Sequence, residues 1–99
     1  MDEQHREILR KHRVLLRREL SADRIASDLY AAKIFDEEDV CEVNAARTPQ
    51  KQAETLLDIL THRGPDAFRC FYESLQKTAR HIADTIYSPY TSGKSRIIN

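Results

Sequence analysis

The chain is 99 residues long, is 32% charged and carries no net formal charge at pH 7. That length makes one domain, or one domain cut from a longer protein, expected to bury about two-thirds of its extended surface and to fold without metal or disulfide staples. Zero net charge argues against a general nucleic-acid binder or a protein steered to membranes by charge.

Only two glycines and three prolines, among many Ala, Leu, Glu, Gln and Arg, point to an all-α domain. Residues 2–20 predict the first helix, with Asp2 and Glu3 at its positive end and Arg17 and Arg18 at its negative end. At 100° per residue, Ile8, Leu9, His12, Leu15, Leu16 and Leu20 share one broad face. Arg6, Arg10, Arg13 and Arg17 form a basic stripe beside it. Val14 lies off that face, which predicts a bend or packing on a second side.

A second helix is expected from about Asp23 to Lys33, started by Ser21 or Ala22, with Ile25, Ala26, Leu29 and Ala32 inward. Ile34 and Phe35 read as buried residues in a tight connection. Asp36 then caps a third helix, with Asp39 at N3 as a variant capping box and Val40 and Val43 inward. Glu38 and Glu42 are like-charged i,i+4 neighbours on its outer side, an arrangement that costs a few tenths of a kcal/mol.

Residues 48–75 hold the expected centre of the core. Thr48 is an N-cap and Pro49 sits at N1 of a fourth helix, whose Ala53, Leu56, Leu57 and Leu60 face inward with Ile59 at the edge. Gly64 is expected to take a left-handed position that ends it, and Pro65 to open a fifth helix carrying Ala67, Phe68, Phe71 and Leu75 inward. Thr78 breaks or caps, and Ala79 to Tyr87 forms a sixth helix with Ile82, Ala83 and Ile86 inward. Residues 88–99 lack periodicity and read as a flexible tail or the start of a linker. The whole is a compact bundle of six short helices.

Catalytic and metal constellations fail one after another. His5, His12, His62 and His81 make no HExxH pair, and Cys41 and Cys70 match no CxxC or zinc spacing. A Cys70–His81 nucleophile–base pair is outweighed by the place of Cys70 beside Phe71 in an amphipathic helix. Ser92-Gly93-Lys94-Ser95 ends like a phosphate loop but lacks the leading glycine, strand and helix. The expectation is therefore no catalytic residue, no metal and no cofactor. Met1 is followed by a charged helix rather than an apolar leader, and no run approaches 18 apolar residues. A cytoplasmic protein with reduced thiols is expected.

The zero net charge conceals separated patches. Residues 1–20 carry a net +2, residues 21–42 a net −5 and residues 43–99 a net +3. Opposed patches favour complementary docking, and a head-to-tail contact between them does not close on itself.

The order and spacing of ILRKHRVLLRREL at 8–20, IFDEEDVCEVNA at 34–45 and LLDILTHRGPDAFRCFYESL at 56–75 resemble a caspase recruitment domain of the death-fold superfamily. The last segment is particularly similar to initiator caspase prodomains and the caspase-2 adaptor. The resemblance covers about Met1 to Tyr87. It implies a six-helix antiparallel Greek-key bundle whose first helix is often bent. It also implies a non-catalytic module that binds another domain of its kind in apoptotic or inflammatory signalling and promotes caspase activation by proximity. In the family, basic residues of helices 1 and 4 meet acidic residues of helices 2 and 3. Carried across, the basic side is Arg10, Arg13, Arg17 and Lys51, with Arg47 near the third connection. The acidic side is Asp28, Asp36, Glu37, Glu38, Asp39 and Glu42. Arg13 holds the arginine position that matters in initiator caspase prodomains, while Glu54 and Asp58 dilute the basic character of the fourth helix. The implied partner is another such domain, on an initiator caspase, an adaptor or an apoptosome-like scaffold, or a second copy of the chain; neither nucleic acid nor a membrane is expected. A filament-nucleating scaffold and an inhibitory decoy are the alternatives.

Overall fold

The computed structural model describes residues 3–86, which form seven helices and no strand. The expected end of the last helix at Tyr87, the tail at 88–99 and its SGKS segment lie outside the described residues, as do Met1 and Asp2.

The first predicted helix is two. α1 (Glu3–Lys11) and α2 (Arg13–Glu19) meet at His12, whose φ of −106° and ψ of 20° leave the helical region. The break keeps Leu9, Leu16 and Leu20 all buried along the core. Val14 is 65% exposed and lies outside the core cluster. Of the two explanations for that residue, the bend is the one that applies.

α3 (Ala22–Ala31) follows with Ile25, Ala26 and Leu29 fully buried. Ala32, expected inward, is the exposed C-cap. Lys33 comes next with φ 65°; its N–H bonds Tyr30 O, and Ile34 N–H bonds Leu29 O at 2.9 Å. These two bonds make a Schellman motif with lysine where glycine is usual.

α4 (Glu37–Ala45) starts with the expected capping box. Asp39 N–H donates to Asp36 Oδ1 at 2.8 Å, and Asp36 N–H donates to Asp39 Oδ2 at 3.1 Å. α5 (Pro49–Leu60) has Thr48 Oγ1 accepting from Lys51 N–H at 3.1 Å and proline at N1. Its end departs from expectation. Gly64 does not adopt a left-handed φ; the chain unwinds from Thr61 through i→i−3 bonds, His62 N–H to Ile59 O and Arg63 N–H to Leu60 O. Those bonds satisfy the last carbonyls, so no left-handed residue is needed. Pro65 also stands outside the next helix, because Asp66 is the N-cap of α6 (Ala67–Thr78). α7 (Arg80–Ile86) completes the described chain.

α3 packs against α4, α5 and α6; α2 and α4 pack on α5, and α7 on α6. Phe68, Phe71 and Leu75 of α6 are buried with Leu56, Leu57 and Leu60 of α5, as the apolar stripes predict. Burial of each such side chain contributes about 1.5–3 kcal/mol. His5 of α1 stacks on Phe68 at 4.2 Å between centroids, which holds α1 to α6. Tyr72 and Ser74 are buried as well, outside the predicted stripe. Ser74 Oγ donates to Asp28 Oδ2 at 2.6 Å, tying α6 to α3.

Candidate functional site

The basic stripe divides between two shallow grooves along α5. Arg6, Arg10 and Arg13 line the first, with Leu9, Leu57, Thr61 and His62, in a volume of about 270 Å³, below the roughly 300–1,000 Å³ of a ligand pocket. Arg17 lines the second with Thr48, Gln50, Lys51 and Glu54. Helical spacing alone aligns the four arginines; packing of α2 on α5 decides what they meet.

Three of them meet carboxylates of their own chain. Arg13 Nη2 donates to Asp58 Oδ1 at 2.9 Å, and Arg17 Nη1 to Glu54 Oε2 at 2.6 Å. Arg10 pairs with Glu7 one turn earlier. The hydrogen bond from Arg17, opposed by desolvation and helped by the charges of Arg17, Arg13 and Lys51, lowers the Glu54 pKa. Glu54 and Asp58 thus do more than dilute the basic side: each occupies one of its arginines. Lys51 and Arg47 are exposed.

The acidic side is also sorted by the fold. Glu37, Glu38 and Glu42 are exposed on α4, and Asp36 is exposed beside them while its side chain caps the helix. Asp28 is half-buried and accepts the Ser74 hydroxyl. Asp39, assigned to the docking side from sequence, is buried and turned to a structural task. It accepts from Arg63 Nη2 at 2.6 Å and Arg63 Nε at 3.2 Å while completing the capping box. Burial raises its pKa, but the Arg63 hydrogen bond and charge and the Asp36 contacts outweigh that and leave it lowered. Arg63 is raised by the same hydrogen bond, against desolvation.

A third groove lies between α3 and α4, lined by Asp23, Ser27, Tyr30, Glu37, Val40 and Cys41 among others. Tyr30 is 50% exposed there, and Cys41 is an exposed free thiol. Sequence reasoning missed this apolar element. The signal was an aromatic on the outer face of α3, away from Ile25 and Leu29. No residue is shared between this acidic groove and the two basic ones.

Cys70 is half-buried in α6 and His81 is exposed on α7. Among the described residues no group of three or more His, Cys, Asp or Glu side chains is placed to hold a metal ion. Nor is any described helix long and apolar enough to cross a membrane. The described residues thus present two basic grooves and one acidic groove with no lining residue in common between them.

Comparison with known proteins identifies a family. The caspase recruitment domain family model matches residues 6–88. The chain is 34% identical over 93 residues to caspase-2 of Gallus gallus, covering 93% of the chain and 22% of that protein. It is 24% identical over 89 residues to cell death protein 3 of Caenorhabditis remanei, covering 90% of the chain and 18% of that protein. The chain therefore spans about a fifth of the length of these relatives.

Proposed function

Because the chain belongs to the caspase recruitment domain family, we propose that it recruits another such domain by homotypic docking in apoptotic or inflammatory signalling, in the cytoplasm. The observation that supports this is that the basic and acidic grooves have no residue in common: arginines of α1 and α2, with Lys51, line two grooves, and Glu37 lines the acidic one with Glu38 and Glu42 nearby. Arg10, Arg13, Arg17 and Lys51, with Arg47 at the rim, contact the acidic side of the partner. Glu37, Glu38 and Glu42 present the acidic side, Asp36 and Asp28 contribute partly, and Asp39 acts by holding α4 in place.

The domain supplies no chemistry of its own. If a caspase is attached in a longer chain, docking raises its local concentration, and proximity does the rest. Both faces belong to one molecule, so the contact is heterologous and can repeat from copy to copy. That favours a growing assembly as the second reading.

A charge-swap experiment on the whole chain tests the proposal. Light scattering should show concentration-dependent self-association of the unmodified chain. Arg13→Glu and Glu38→Lys should each abolish it, each removing about 2 kcal/mol or more of binding. Mixed together, the two variants retain one intact basic and one intact acidic face and should form a dimer that grows no further. A folded Arg13→Glu chain that still self-associates like the unmodified one would overturn the assignment.

A further inference from the structure

The second basic groove contains an acceptor that docking does not use. We propose that Thr48 is a phosphorylation site for a proline-directed protein kinase, and that its phosphate takes Arg17 and Lys51 away from the partner.

Thr48-Pro49-Gln50-Lys51 is a threonine followed by proline and, two residues later, by a lysine. This is the acceptor pattern of proline-directed kinases. The proline brings no N–H that the kinase cleft must satisfy, and the lysine offers it a cation. The backbone suits such a cleft. Ala46 (φ −68°, ψ 146°) and Thr48 (φ −123°, ψ 156°) are extended, and Thr48 is exposed. The hydroxyl is held only as acceptor of the Lys51 N–H at 3.1 Å, in the first turn of α5, and helix ends open locally at little cost.

The transfer balances without any group from this chain beyond the hydroxyl. Thr48 Oγ1 attacks the γ-phosphorus of ATP bound by the kinase and forms the ester bond. The bond from that phosphorus to the β,γ-bridging oxygen breaks, ADP leaves, and the hydroxyl proton passes to the kinase's base.

Surroundings determine the consequence. Arg17, Lys51 and Glu54 line the same depression as Thr48, a volume of about 320 Å³. A phosphate there adds about 1.5–2 negative charges and three strong acceptor oxygens. It displaces Glu54 from Arg17, engages Lys51 and repels an acidic partner face. This switch rests on the docking function proposed above, but the site itself can be tested without it.

The whole chain is incubated with Mg·ATP and a purified proline-directed kinase, and the phosphate is located by peptide mass spectrometry. Phosphate is expected on Thr48, retained in Thr48→Ser as phosphoserine and absent in Thr48→Val. In a ³¹P NMR titration its second pKa should fall below the usual value near ~6 and return toward it in Lys51→Gln. Self-association should weaken at least about tenfold on phosphorylation. No incorporation, incorporation only at Ser88 of Ser88-Pro89, or a phosphate whose titration ignores Lys51→Gln overturns the site. Phosphate on Thr48 with unchanged self-association overturns the switch. Failure of the docking function reads differently: the unmodified chain then shows no Arg13-dependent association, while phosphate incorporation and its titration still decide the site.

Discussion

Two ion pairs in this bundle use the same chemistry for opposite ends. Asp39–Arg63 joins α4 to the connection after α5, with the carboxylate side chain only 9% exposed; Arg13–Asp58 joins α2 to α5, with the carboxylate 65% exposed. In the first, desolvation must be offset, and two guanidinium bonds together with the capping amide do so. In the second, water competes for both partners, so the pair is worth little and can be exchanged cheaply. Burial separates a structural bridge from an exchangeable surface pair, which the proposed docking would draw on.

The largest effect should come from the buried partner. Asp39→Ala removes an acceptor from Arg63 and half of a capping box, and should cost about 2–3 kcal/mol of stability in denaturant melts. The pH dependence has a definite sign. Asp39 titrates below its ordinary value of 3.8 when folded, so its contribution is complete above that value and is lost as pH falls through the folded pKa. The stability gap between the unmodified chain and Asp39→Asn should therefore be constant near neutrality and narrow in acid. A gap that widened as pH fell would contradict the bridge.

The exposed pair should respond the other way. Asp58→Asn is expected to change stability by less than about 1 kcal/mol. Yet it frees Arg13 for a partner and should strengthen docking roughly two- to fivefold. Weaker association of Asp58→Asn would show that Asp58 itself contacts the partner.

The smallest effects concern two backbone positions. Lys33 carries the positive φ while Gly64 has none and nothing lies within 4 Å of the place its Cβ would take. Lys33→Gly and Gly64→Ala should each be neutral to stabilising by up to about 1 kcal/mol in thermal melts. Marked loss of stability in Gly64→Ala would mean that the glycine is needed after all.

Much of the fold was legible because its signals are local. The Asp36–Asp39 box and the Thr48-Pro49 start each lie within one helical turn, and the inward faces of α3, α5 and α6 follow from the 3.6-residue period. The break at His12 was foreshadowed only by Val14 lying off its face. The helix end at Gly64 was misjudged for a different reason: i→i−3 bonds satisfied the carbonyls that a left-handed glycine would otherwise serve. The basic and acidic residues of the candidate site were all visible as charges, but their availability was not. Tyr30 and Cys41 were missed as surface features because an α-helix shows its outer face only once its neighbours are placed.

By itself, then, the amino-acid sequence determined the helical class, the Asp36 and Thr48 caps, most of the apolar core and the family. Tertiary structure decided which charges are spent. Arg13 and Asp58 are 45 residues apart, Arg17 and Glu54 are 37, and Arg63 and Asp39 are 24. No local rule couples residues at such separations. The packing of α2 and α4 on α5 brings them within hydrogen-bond reach, and only then does burial make one pair a strut and leave the others exchangeable.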